Sequence, residues 1–67
     1  MEKKLIEQFI GKQVLVSTNS SFTFEGRLEL NNSKSYPEEE FMVITNSDYT
    51  YFVSASNVKN IVEWDRK

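Results

Sequence analysis

The spacing of apolar positions changes period along the chain. Leu5, Ile6, Phe9 and Ile10 recur at i, i+1, i+4 and i+5, one face at 3.6 residues per turn. This predicts a short amphipathic helix over residues 2–10. Gly11 stands where a helix ends in a left-handed residue. From Lys12 the period becomes two: Val14 and Val16 alternate with Gln13, Leu15 and Ser17, a first strand over roughly 12–18. Asn19-Ser20-Ser21 is turn chemistry. Phe22, Phe24, Gly26, Leu28 and Leu30 then alternate with Thr23, Glu25, Arg27 and Glu29, a long strand with one apolar and one polar face. A glycine on the apolar face at mid-strand implies a sharp bend or a close backbone approach.

Residues 31–39 form a loop, which Pro37 keeps out of any ladder. Phe41-Met42-Val43-Ile44 is a continuous apolar run, as in a strand covered on both faces. Asn46-Ser47-Asp48 is a second turn, Thr50 to Ser54 a fourth strand, and Val58 to Trp64 a last one. Asp65-Arg66-Lys67 reads as a solvated end. The pattern is mainly β: an N-terminal helix (2–10) followed by a five-stranded, strongly bent small barrel (12–65), in a single domain over 1–67. Closure into a barrel would remove exposed edges. An SH3-like and an Sm-type barrel both fit this order.

Composition then excludes function classes. The 67 residues contain no Cys and no His, which removes disulfides, thiolate zinc sites, a cysteine nucleophile and the usual general base. Two Gly leave no glycine-rich phosphate loop. Glu25 and Glu29 share a strand face about 13 Å apart at ~3.3 Å per residue. That exceeds the ~5–9.5 Å of paired-carboxylate hydrolysis. The expectation is no enzyme, no cofactor and no metal. Glu38-Glu39-Glu40 alternate sides on an extended segment and read as a solvated loop rather than a cation site. The formal charge of −2 opposes a general polyanion binder. No run reaches the ~18 apolar residues of a membrane span, and the N-terminal stretch starts with charges but holds no apolar run of signal-peptide length, so the expected compartment is the cytoplasm. The sequons at Asn19 and Asn31 are then incidental.

A domain of this size buries only about 60% of its unfolded surface and is marginal alone. Without a covalent staple, self-association is expected.

Two segments resemble the Sm-like family, which includes bacterial Hfq. Val14-Leu15-Val16 through Gly26-Arg27-Leu28 is similar to the first Sm motif. Tyr51-Phe52-Val53-Ser54-Ala55-Ser56-Asn57-Val58-Lys59-Asn60-Ile61 is similar to the second, keeping much of its apolar spacing at Phe52, Val53, Val58 and Ile61. The resemblance runs from about Leu5 to Glu63. It departs at Ser20 or Ser21, where the family has a turn glycine, and at Ser54-Ala55, where it has Arg-Gly or Lys-His. The loop Ser33 to Pro37 is longer than the family's.

The resemblance implies a homo-oligomeric ring in which neighbouring subunits pair the fourth strand with the fifth. Tyr49, Tyr51, Val53, Ile61 and Trp64 would form that contact. It also implies weak binding of single-stranded RNA, with Asn32, Lys34, Tyr36, Ser54 and Asn57 as the positions concerned and Tyr36 as the stacking ring. Lys3, Lys4 and Lys12 read as a solvated helix surface. A structural or protein-interaction module without an RNA site is the alternative; Ser54-Ala55 and the acidic run favour it.

Overall fold

A computed structural model describes residues 1–64; the expectations for Asp65, Arg66 and Lys67 lie outside the described residues. The elements are α1 (Lys3–Glu7), β1 (Gln13–Thr18), β2 (Thr23–Leu30), β3 (Phe41–Ile44), β4 (Thr50–Val53), a 3-10 turn η1 (Ala55–Asn57) and β5 (Val58–Glu63). All strand pairs are antiparallel in one sheet, ordered β4-β3-β2-β1-β5.

The helix is shorter than its apolar spacing predicts. It ends at Glu7, and the chain continues in tighter turns through bonds from Phe9 N to Ile6 O and from Ile10 N to Glu7 O. Ile6 is fully buried, and Phe9 and Ile10 pack on the core, but Leu5 faces outward. So short a helix has no stability of its own and is held by that burial. Gly11 takes φ +85° and donates to Leu28 O, closing the turn into β1.

Strand β2 organises the sheet. Residues Thr23 to Arg27 pair with β1, and Arg27 to Leu30 pair with β3. The changeover falls beside Gly26. A Cβ there would collide with the Ile44 carbonyl oxygen and lie 2.8 Å from its carbonyl carbon and 3.0 Å from Val43 Cγ1. Only a residue without a side chain lets the two backbones approach so closely.

The sheet curls about one core of Ile6, Val14, Val16, Leu28, Phe41, Val43, Val53, Ala55, Val58 and Ile61. Phe24 of β2 stacks on Tyr51 of β4 with ring centroids 4.5 Å apart, although β3 lies between those strands. In a flat sheet they would be separated by about 9.6 Å, twice the interstrand spacing.

The curl does not close into the expected barrel. Among the described residues β4 and β5 form no ladder with each other; each is an edge. The three-residue η1 carries the chain from one edge strand to the other without bringing them side by side. Strand β2 also departs from its sequence pattern. Gly26 and Leu28 are buried and Phe24 half-buried, but Phe22 and Leu30 are exposed. Both ends of this long strand run past the small core, so alternation overestimates what the core can cover.

Candidate assembly and RNA-binding site

The loop between β2 and β3 is built around Asn31. Its side-chain amide donates to the carbonyls of Ser35, Tyr36 and Glu39, at 3.2, 3.1 and 2.8 Å. Its Oδ1 accepts from Ser33 N at 3.0 Å. Two amide hydrogens serve three acceptors, so at least one is shared. This residue, not its neighbour Asn32, sets the loop. Asn32 and Lys34 are exposed on it. Tyr36 adopts φ 52°, a left-handed conformation that non-glycine residues seldom take. Its ring lies 4.9 Å from Phe52 of β4, tilted by 37°, with much of it still exposed.

Glu40 fastens the loop to the β4–β5 corner. Its Oε1 accepts from Ala55 N at 2.7 Å, filling the first orphan donor of η1. Glu39 and Glu40 are half-buried, so the reading of residues 38–40 as a uniformly solvated run is corrected at its last two positions. The partner lies fifteen residues away, and no local motif signals the contact. Glu40→Ala should lower stability by about 1.5–3 kcal/mol, the range for hydrogen bonds to charged groups. A urea titration followed by circular dichroism measures it, and an unchanged midpoint would remove the capping role.

The remaining RNA-site positions separate. Ser54 Oγ lies 3.1 Å from Ser56 Oγ, and Ser54 O accepts from Asn57 N. Asn57 is turned to the β1–β2 hairpin instead: its carbonyl accepts from Asn19 N at 2.8 Å, and its Oδ1 from Ser20 Oγ at 3.5 Å. Asn32, Lys34 and Tyr36 thus share one loop beside β4, whereas Asn57 stitches the opposite turn. In that turn Ser21 takes φ 70°, a left-handed conformation that favours glycine. Lys34 is the one cation of residues 31–40, against Glu38, Glu39 and Glu40. That balance holds phosphates weakly.

Of the five expected interface positions, Tyr49, Tyr51 and Trp64 are exposed. Val53 and Ile61 are in the core of their own chain, so their side chains are not offered to a neighbour. Two exposed apolar residues join the set, Phe22 and Val62. The Phe22 and Phe24 rings run nearly parallel at 6.4 Å, and Phe24 stacks on Tyr51, giving an aromatic row across β2 and β4. Buried Thr18 holds the backbone of this row: its N and Oγ1 both donate to Phe22 O, at 2.8 and 3.1 Å, and Oγ1 accepts from Phe22 N at 3.1 Å. Strand alternation puts Phe22 and Phe24 on one face; the stack with Tyr51 depends on the bend of β2 and is invisible to it.

The described residues carry no pocket, so the candidate site is a face with two strand edges. No helix among them is long and apolar enough to cross a membrane. Comparison of the chain with family models, curated proteins and solved structures finds no match in any of the three.

Proposed function

We propose that this chain is a non-catalytic assembly module of Sm-like architecture, whose copies join edge to edge into a closed homo-oligomeric ring in the cytoplasm. The supporting observation is the pair of open edges. Strands β4 and β5 each pair on one side only, and both are flanked by exposed large apolar side chains. Natural sheets cover or charge such edges when they are meant to stay free. The two edges differ in sequence, so the joint is head-to-tail, which generates rings when the rotation closes.

A second reading adds weak single-stranded RNA binding. It is favoured by Tyr36, held in place on Phe52 with much of its ring still exposed and Lys34 nearby in the chain.

Native mass spectrometry of the purified protein tests the first reading. One species at an integer multiple of three or more protomers is expected; a monomer or a dimer overturns the ring. Titration with short U-rich and A-rich RNAs at two salt concentrations tests the second. Stacking contributes ~1–3 kcal/mol per base, so Tyr36→Ala should weaken binding roughly 5- to 150-fold. No binding at low salt ends the RNA reading.

A further inference from the structure

Residues 16–24 and 43–51 carry one pattern twice, Val-x-Thr-Asn-Ser-x-aromatic-Thr-aromatic. The first copy joins β1 to β2, and the second joins β3 to β4. Both make the same turn. Thr18 N donates to Phe22 O at 2.8 Å, and Thr45 N donates to Tyr49 O at 2.9 Å, so each hairpin closes on a hydrogen-bonded pair. Each threonine Oγ1 also accepts from the N–H of that aromatic residue, at 3.1 and 3.2 Å. The last residue of each three-residue loop is left-handed, Ser21 at φ 70° and Asp48 at φ 65°. The two hairpins are repeats in sequence and in hydrogen bonding.

Equivalent positions of the two repeats touch. Phe24 and Tyr51, both ninth in the pattern, stack with ring centroids 4.5 Å apart. The aromatic face of one hairpin thus packs on the same face of the other, which makes that face self-complementary. The seventh positions, Phe22 and Tyr49, lie one strand step further out on these faces. They are 63% and 67% exposed, the two highest values among the large apolar side chains described. Folding of one chain therefore pairs one ring from each repeat and leaves the other ring of each largely open.

Charge narrows the occupant. Residues 16–24 hold no charged side chain, and residues 43–51 hold only Asp48. No cation there attracts a phosphate backbone. Two copies of the same surface meet with almost no like-charge repulsion.

The consecutive hairpins β1–β2 and β3–β4 place both turns at one end of the sheet. In a ring whose copies join strand beside strand, the hydrogen-bonding direction runs around the ring. Strand ends then lie on its two flat sides, and every copy presents Phe22 and Tyr49 on the same side. Resting on the edge-to-edge reading above, we infer that this side is the docking surface for a second ring of the same chain. Phe22 of one copy packs on Tyr49 of another, reproducing between rings the Phe24–Tyr51 contact made within each chain. A two-fold relation supplies the contact twice, because Phe22 then meets Tyr49 and Tyr49 meets Phe22. One such contact is too small to hold two single chains together. A ring repeats it once per copy, and the linked copies bind in concert. The strand edges take no part in it.

Native mass spectrometry of the parent protein and of the variant Phe22→Ser/Tyr49→Ser tests the inference. Both side chains are exposed, so the far-ultraviolet circular dichroism of the variant should match the parent's. Each aromatic pair lost weakens the contact roughly 2- to 12-fold beyond its buried area, and the loss compounds over the copies. The parent should hold an even number of protomers and the variant half as many. An assembly of the same size in parent and variant overturns the docking surface and leaves the ring standing. A monomeric or dimeric parent overturns it together with the edge-to-edge reading. Charge exchange supplies a second readout, one that misfolding cannot imitate. Phe22→Asp and Tyr49→Arg should each halve the mass alone, and Phe22→Asp/Tyr49→Arg should restore it by setting opposite charges face to face. Failure of the double variant to regain the parent's mass overturns the Phe22–Tyr49 pairing.

Discussion

Gly26→Ala is expected to lower stability by on the order of 3 kcal/mol, the upper part of the range for forcing extra atoms into packed sites. The methyl group would enter the Ile44 carbonyl, with Val43 Cγ1 also within 3.0 Å. A side chain could rotate away; a backbone carbonyl in a ladder cannot. Relief requires β2 and β3 to separate at Arg27↔Ile44, where their pairing begins. A chain of this length has roughly 3 to 10 kcal/mol of stability in total at ~0.05–0.15 kcal/mol per residue. The melting temperature should fall by roughly 12–24 °C, at about 4–8 °C per kcal/mol for a small domain. Gly11→Ala is the control. Its φ of +85° penalises a side chain, but no atom lies within 4 Å of the added Cβ. The expected loss there is about 1–2 kcal/mol. Thermal melts followed by circular dichroism compare the two; equal shifts would mean that close approach at Gly26 does not govern the bend.

Thr50→Pro is expected to dissolve the assembly while leaving the single chain folded. Thr50 is exposed, and its N–H points to the free edge, so no bond to β3 is lost. In the assembled state that N–H would donate to the neighbour's β5 edge. Proline removes the donor and sets its ring against the incoming strand. The penalty is about 3 kcal/mol per joint, the upper end of what a buried acceptor left without its donor costs. That corresponds to roughly 100-fold weaker association at every interface of the ring. Native mass spectrometry should show monomer where the parent is assembled, with an unchanged far-ultraviolet spectrum. An intact oligomer would exclude the β4 edge from the joint.

Local regularities carried much of the architecture into the sequence. Period-two alternation over residues 12–18 and 22–30 corresponds to β1 and β2 within a residue or two. The apolar run Phe41–Ile44 is β3 as bounded. A glycine on the apolar side of a long strand pointed to the bend, because a missing side chain there has a steric meaning. Positive φ at Gly11 followed from the same logic.

What failed to appear involves partners far apart in the chain. Glu40 looked like one of three solvent-facing carboxylates until Ala55 was placed beside it. Asn57 looked available until the β1–β2 turn engaged it. Val53 and Ile61 carried the right apolar character for an interface, but alternation cannot say which apolar face meets the core and which meets a neighbour. In β5 the buried positions are Val58 and Ile61, three apart, across a register shift near Thr18 that period-two reading misses.

The sequence by itself determined the order of elements, the position of the bend and the absence of cysteine and histidine chemistry. Each of these depends on residue type at a position or on spacing over a few neighbours. The tertiary structure alone decided that the sheet stays open, that Phe24 reaches Tyr51 across β3, and which backbone groups are left on the β4 and β5 edges. Those outcomes depend on how far one bent strand swings two halves of a small sheet toward each other. That angle is set by packing among distant residues, and no local pattern encodes it.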